Sequence, residues 1–127
     1  MKNIRPSFLP AIAWFIICTV LLILPGSAFP KETWLSEIWF DKWVHIGLFA
    51  VMVTLCCWGV LKIANEKSHL RKLFIIFAVL AIVYGTGMEF VQKHLVANRS
   101  FDVGDIAADA IGSIIGLLFS LGRYIKK

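Results

Sequence analysis

The chain alternates between long apolar blocks and short polar connections. Four blocks of about 17 to 22 residues carry almost no charge, and they cover residues 8–24, 43–64, 73–92 and 103–122. A helix needs roughly 20 apolar residues to cross a bilayer. Backbone groups in hydrocarbon must be paired internally, and no block alternates like a barrel strand, so each block is predicted to be an α-helix. The pattern predicts an all-α integral membrane four-helix bundle, a single domain over residues 1–127.

The longest connection, residues 25–42, has a pattern of its own. Trp34, Leu35, Ile38 and Trp39 recur at helical spacing and share one face. An apolar face on an otherwise polar segment is typical of a helix that lies in the membrane interface. We therefore expect a short interfacial helix between the first two spans.

The first apolar block has an alternative interpretation as a cleavable signal. Lys2 and Arg5 precede it, and the small residues 26–28 that follow could form a cleavage site. A cleaved signal usually has an apolar core of about 7 to 15 residues, which is shorter than this block. Its length favours a retained span, and cleavage would leave three.

Composition agrees with a membrane protein. Of 127 residues, 59% are hydrophobic and 17% are charged, and the mean hydropathy is +0.80. A soluble domain would have nearly a quarter of its residues charged. Cys18, Cys56 and Cys57 all lie inside apolar blocks, without metal-ligand spacing, and are predicted to be small apolar filler.

The basic residues predict the orientation. Most of the 13 lysines and arginines lie near the two termini or after the second block: Lys2, Arg5, Lys62, Lys67, Arg71, Lys72, Arg123, Lys126 and Lys127. The side richer in Lys and Arg is normally cytoplasmic, so both termini are expected inside. The net charge of +5 is then a topology signal. It does not indicate nucleic acid, which would need a basic patch on a soluble face.

Polar side chains gather where three helices meet the opposite, outer side. They are Asp41, Lys42, His45, Glu89, Gln92, Arg99, Asp102, Asp105 and Asp109. Within each helix they are three or four residues apart, so each set shares one face. A lone aspartate at mid-bilayer costs about 2.5 to 3.5 kcal/mol, so ionisable residues at this depth usually face the bundle interior and have partners. The sequence predicts a polar cluster in which Arg99, Lys42 and His45 are the cations.

A ladder of small residues runs along the fourth block beside the aspartates. Gly104, Ala108, Gly112 and Gly116 recur every four residues. Small residues at this interval let helix backbones approach closely. This flank is predicted to pack tightly against another helix.

The polar positions resemble those of the VanZ-like family of small bacterial membrane proteins. The likeness rests on "DKWVHIGLF" before a span, "EFVQ" ending the next, and "R..D..D....A.G...G" entering the last, over about residues 41–120. The matching positions are Asp41, Lys42, His45, Glu89, Gln92, Arg99, Asp105, Gly112 and Gly116. Where the family commonly has asparagine, this chain has Asp109. The resemblance implies a multi-pass protein of the bacterial cytoplasmic membrane with a cell-envelope role. The founding member is associated with resistance to glycopeptide antibiotics, chiefly teicoplanin.

Three hypotheses follow for the polar cluster. In the first, it binds a lipid head group, cell-wall precursor or glycopeptide on the outer face, with Arg99 and Lys42 holding phosphate or carboxylate. In the second, the protein is an enzyme in which His45 and Glu89 act as base and acid. A divalent cation would then bind Asp102, Asp105 and Asp109; otherwise no cofactor is expected. In the third, the charges only fix the helices in register. Oligomerisation is compatible with all three.

Overall fold

The computed structural model describes residues 5–23, 40–64, 66–95 and 103–125, with side chains from residue 42 onward in the second range. Four α-helices occupy these residues: α1 (Leu9–Ile23), α2 (Phe40–Val60), α3 (Lys67–Leu95) and α4 (Val103–Ser120). A π-helical turn, Leu121–Ile125, continues α4. The described residues contain no strand, which confirms the predicted all-α class.

Three of these helices are long and apolar enough to cross a membrane. The qualifying segments are Lys42–Val60, Lys67–Leu95 and Val103–Ile125. α1 is equally apolar in character but has only 15 residues. The chain is therefore a multi-pass membrane protein by length and composition. The predicted interfacial helix lies outside the described residues.

The boundaries of α2 and α3 differ from the boundaries of the apolar blocks from which these helices were predicted. α2 ends at Val60, because residues 61 to 63 form a tight turn in which Leu61 N donates to Trp58 O at 3.2 Å. α3 begins at Lys67, six residues before its apolar block. The basic residues Arg71 and Lys72, expected in a loop, belong to its first turns. A run of apolar residues indicates only the part of a helix that lies in hydrocarbon, so it does not predict a polar first turn.

The centre of the bundle is the contact between α2 and α4, the most closely packed pair, with α3 packed against both. Glycines on α4 permit this approach. A Cβ on Gly112 would overlap the carbonyl oxygen of Ile46, and one on Gly116 would lie 2.6 Å from that of Ala50. The small-residue flank of α4 therefore faces the backbone of α2. Ala108 is buried, and Gly104 is half-buried at the start of the helix.

α1 packs on the outside of this core, against α2 and α3. At its start, Phe8 fits against Gly59, where a Cβ would lie 2.6 Å from the ring. Further along, the Trp14 indole N–H donates to the Leu48 carbonyl at 2.9 Å. The Thr19 and Tyr84 hydroxyls are 2.6 Å apart. These contacts join α1 to the other helices along its length.

Candidate functional site

The predicted polar residues that the structure describes meet at one end of the bundle. At this end α1 and α3 terminate, and α2 and α4 begin. Two long-range contacts fix the level: Gln92 Nε2 donates to the Leu22 carbonyl at 2.8 Å, and Lys42 lies beside Asp105. We call this region the polar end, defined by Lys42, His45, Glu89, Gln92, Asp105 and Asp109.

The first pair at the polar end joins the starts of α2 and α4. Lys42 Nζ donates to Asp105 Oδ1 at 2.7 Å. The lysine side chain is 22% exposed and the aspartate side chain 8%. A charge-assisted hydrogen bond of this length is among the stronger polar contacts in proteins. Among the described members of the cluster, Lys42 is thus the one that combines a buried partner with partial exposure.

The second pair lies one turn deeper. His45 Nδ1 is 2.6 Å from Asp109 Oδ1, and both side chains are buried. Nδ1 is the donor when Asp109 is ionised, because a carboxylate only accepts. On the other side of the ring, His45 Nε2 is 3.8 Å from Asp105 Oδ2, longer than a hydrogen bond. His45 therefore stands between two carboxylates that are adjacent on one face of α4.

A glycine on α3 makes room for the deeper aspartate. A Cβ on Gly85 would lie 2.5 Å from Asp109 Oδ2 and 2.9 Å from its Cβ. Ser113, one turn further along α4, donates to the Asp109 backbone carbonyl at 2.8 Å. The Asp109 carboxylate is thus held between α2 and α3, on the bundle interior, as its depth predicts.

α3 contributes Glu89 and Gln92, each only 1% exposed. Glu89, Asp105 and Asp109 all lie near enough for their charges to act on the His45 imidazole. Gln92 uses its amide to bond a carbonyl in the last turn of α1, where helix carbonyls lack intrahelical partners. The two residues share a face of α3 but have different roles. Glu89 adds negative charge to the cluster, and Gln92 binds α1.

Three predicted site residues have no side chain among those that the structure describes. Arg99 and Asp102 lie outside the described residues, and Asp41 lies in the first turn of α2 without a described side chain. Asp102, one of the three aspartates of the predicted cation site, is among these residues. Among the described residues, no group of three His, Cys, Asp or Glu side chains is arranged to hold a metal ion.

Two cavities occur away from the polar end. One, of about 270 Å³, lies on the outer seam of α2 and α4 near Thr54 and Phe119. The other, of about 160 Å³, is lined by Arg71 of α3 and by residues of α4 and its π-helical turn. At the polar end, Lys42 is the partly exposed side chain among those described and the buried His45–Asp109 pair lies one turn deeper, so a ligand there would meet Lys42 first.

Some residues that shape the polar end are missed by sequence reasoning. Gly85 carries no chemistry, and only the carboxylate opposite it reveals its role. Tyr84 and Thr19 lie within apolar blocks, and their contact brings α1 and α3 together just below the cluster. A hydroxyl within a transmembrane block is a weak signal, because it can equally bond to its own helix.

Comparison with known proteins gives no match: no family model, no curated protein and no solved structure is similar to this chain.

Proposed function

We propose that the chain is a VanZ-like protein of the bacterial cytoplasmic membrane, with four spans and both termini inside. Its polar end then lies under the outer surface and binds a lipid head group, cell-wall precursor or glycopeptide. A role in teicoplanin susceptibility follows from the same proposal, because glycopeptides act on that side of the membrane. The family and the orientation rest on the sequence patterns given above.

One observation carries the proposal. Four ionisable side chains, His45, Glu89, Asp105 and Asp109, are each less than 7% exposed within helices otherwise suited to hydrocarbon. Ionisable groups inside a membrane bundle are costly and mark functional sites by default. They also converge from three separate helices on one level.

The recognition chemistry centres on Lys42. Its ammonium group has three donors, and its side chain is the partly exposed one of the Lys42–Asp105 pair. A phosphate or carboxylate approaching from outside would share this ammonium with Asp105. Arg99, in the predicted outer loop, would supply a bidentate second cation. His45 and Asp109 would hold Asp105 in place from behind.

The binding test compares two lysines at the same end of the bundle. Lys93 is exposed in the last turn of α3, whereas Lys42 faces Asp105. Binding of teicoplanin, of a lipid-linked cell-wall precursor and of phosphatidylglycerol is measured on detergent-solubilised protein. Lys42→Gln should weaken binding of the true ligand about tenfold, the usual cost of a charged hydrogen bond. Lys93→Gln should leave it unchanged. Equal effects of the two substitutions, or no binding of any probe, would refute the proposal.

A second candidate function is purely structural, and a specific observation favours it. Lys42 is already paired with Asp105 at 2.7 Å, and His45 with Asp109 at 2.6 Å. Buried ionic groups can specify one packing arrangement. Glu89→Gln distinguishes the two candidates. Normal accumulation in the membrane with lost binding supports the ligand site, while disappearance from the membrane supports a structural network.

The orientation has its own test. Asn98 lies in the connection between the last two spans, which is predicted to face out. In an Asn98→Cys variant, an impermeant thiol reagent added to intact cells should label the protein. The native cysteines lie within helices, so the unsubstituted protein is the matched control. Labelling only after the cells are opened would reverse the topology.

A further inference from the structure

The smaller cavity lies at the end of the bundle opposite the polar end. Its walls are Arg71 of α3 and the residues Leu118, Leu121, Gly122 and Ile125 at the end of α4, and its volume is about 160 Å³. The π-helical turn that forms one wall is anchored, because Ile125 is buried and Tyr124 meets Phe74 edge to face at 6.2 Å. The cavity is half-open, and its lining consists of one cation and otherwise apolar residues.

The surroundings of this cavity are strongly basic. The exposed cations at this end are Arg5, Lys62, Lys67, Arg71, Lys72 and Arg123, and Glu66 is the acid described there. Among the described residues, no ion pair involves Arg71. The amino end of α3, where the backbone dipole is positive, adds to the same field. An anion near Arg71 would therefore meet a net positive field.

The position of the cavity indicates what kind of anion fits. Arg71 lies near the start of a membrane-spanning segment, and Leu118 lies near the end of another. A molecule at this level meets water and head groups above and hydrocarbon below. Basic pockets between transmembrane helices bind anionic lipid head groups, and an arginine fork suits a phosphate. The apolar walls suit the acyl chain of the same molecule.

We propose that this cavity binds one anionic phospholipid, with its phosphate on Arg71 and the upper part of an acyl chain against Leu118 and Leu121. The site is separate from the polar end, since Glu89 lies 18 positions after Arg71 in α3, which corresponds to about 27 Å of helix. The lipid would join the start of α3 to the end of α4.

The test measures lipids retained by the detergent-solubilised protein in native mass spectrometry, with phosphatidylglycerol and zwitterionic phosphatidylcholine as probes. The unsubstituted protein should retain phosphatidylglycerol preferentially. Arg71→Gln should weaken retention about tenfold, as for a lost charged hydrogen bond, and Arg71→Lys should weaken it less, because the charge remains without the fork. Lys72→Gln, the neighbouring cation that does not line the cavity, should change retention less than about twofold, because salt screens it.

A glycine pair tests the apolar wall without changing charge. Gly122 lines the cavity, and a side chain added there meets open space. Gly122→Leu should therefore fill the cavity and reduce retention of phosphatidylglycerol. Gly87 of α3 is equally exposed and open but lies near the polar end, so Gly87→Leu should have no effect.

All variants are measured in the Lys42→Gln background as well, which removes lipid held through Lys42 at the polar end. Failure of the proposed function would leave the Arg71 result intact, and failure of the lipid site would leave the Lys42 result intact. Three outcomes would each overturn the lipid site: equal retention of the two lipids, equal loss in Arg71→Gln and Lys72→Gln, or equal retention in Gly122→Leu and Gly87→Leu.

Discussion

The two ends of the bundle carry charge in opposite ways. At the polar end, His45, Asp105 and Asp109 are buried, and each has a partner on another helix. We call the opposite end the basic end, defined by its exposed cations Arg5, Lys62, Lys67, Arg71, Lys72 and Arg123. Among the described residues, no ion pair involves Lys72 or Arg123. A buried charge depends on one particular partner, whereas an exposed charge responds to the average field and to salt. The same chemical substitution should therefore have very different effects at the two ends.

The largest difference is expected for loss of a single charge. Asp109→Ala leaves His45 buried without its carboxylate and should lower the free energy of unfolding by about 3 to 5 kcal/mol. Arg123→Ala removes an exposed charge and should change it by no more than about 0.5 kcal/mol. Asp109→Asn keeps an oxygen acceptor for the His45 N–H and should lie between them. Reversible unfolding in mixed detergent measures all three. Similar values for the two alanine variants would remove the distinction between the ends.

A smaller effect is expected from the contact that holds the polar end together. Gly112→Ala places a methyl group on the backbone of Ile46, which cannot move without shifting α2. Overpacking of this kind costs about 1 to 3 kcal/mol. Gly47, on the exposed side of α2, has open space. Gly47→Ala should be neutral or stabilising, because alanine loses less entropy in a helix. The same unfolding measurement applies. If Gly47→Ala were as destabilising as Gly112→Ala, the loss of stability could not be assigned to the contact with Ile46.

The smallest effect tests how closely Asp109 is held. Gly85→Ala forces the Asp109 carboxylate to shift and should cost about 1 kcal/mol, while Gly87→Ala, at an open position two residues away, should cost nothing. Combined with Asp109→Ala, the Gly85→Ala change should lose most of its cost, because the carboxylate atoms that it meets are gone and only the Cβ of residue 109, at 2.9 Å, remains. This coupling appears directly in a double-mutant cycle. Additive effects would mean that Gly85 serves some other contact.

The sequence predicts at which end of the bundle the polar residues lie, because successive membrane-spanning helices run in opposite directions. Once the apolar blocks are located, the start of one helix and the end of the next must lie on the same side. This places Lys42, Glu89 and Asp105 at one end before any contact is known. The described helices agree with that arrangement. Arg99 and Asp102, which the same reasoning places there, remain predictions.

Which partner each residue has does not follow from the sequence. Lys42 and His45 are both near Asp105 and Asp109, and helical spacing allows either assignment. The rotation of α2 against α4 decides it, and this rotation depends on how the Ile46 carbonyl fits against Gly112. A small-residue ladder predicts that two helix backbones approach closely. It does not show which helix is the partner, or which residues of the two helices face each other. The role of Gly85 is undefined until that rotation is known.

The attachment of α1 has a consequence for the order of assembly. α1 is made before the other three helices, yet its partners on α2 and α3, Leu48 and Tyr84, are made later. In the folded bundle its Thr19 hydroxyl donates to the Phe15 carbonyl of its own helix at 2.9 Å, a bond that needs no neighbouring helix. When α3 arrives, the Thr19 oxygen can accept the Tyr84 O–H while keeping its own donation. If α1 inserts as a fourth span, its Thr19 hydroxyl therefore does not require α3 at once, and α1 can dock after α2 and α3 have followed it into the membrane.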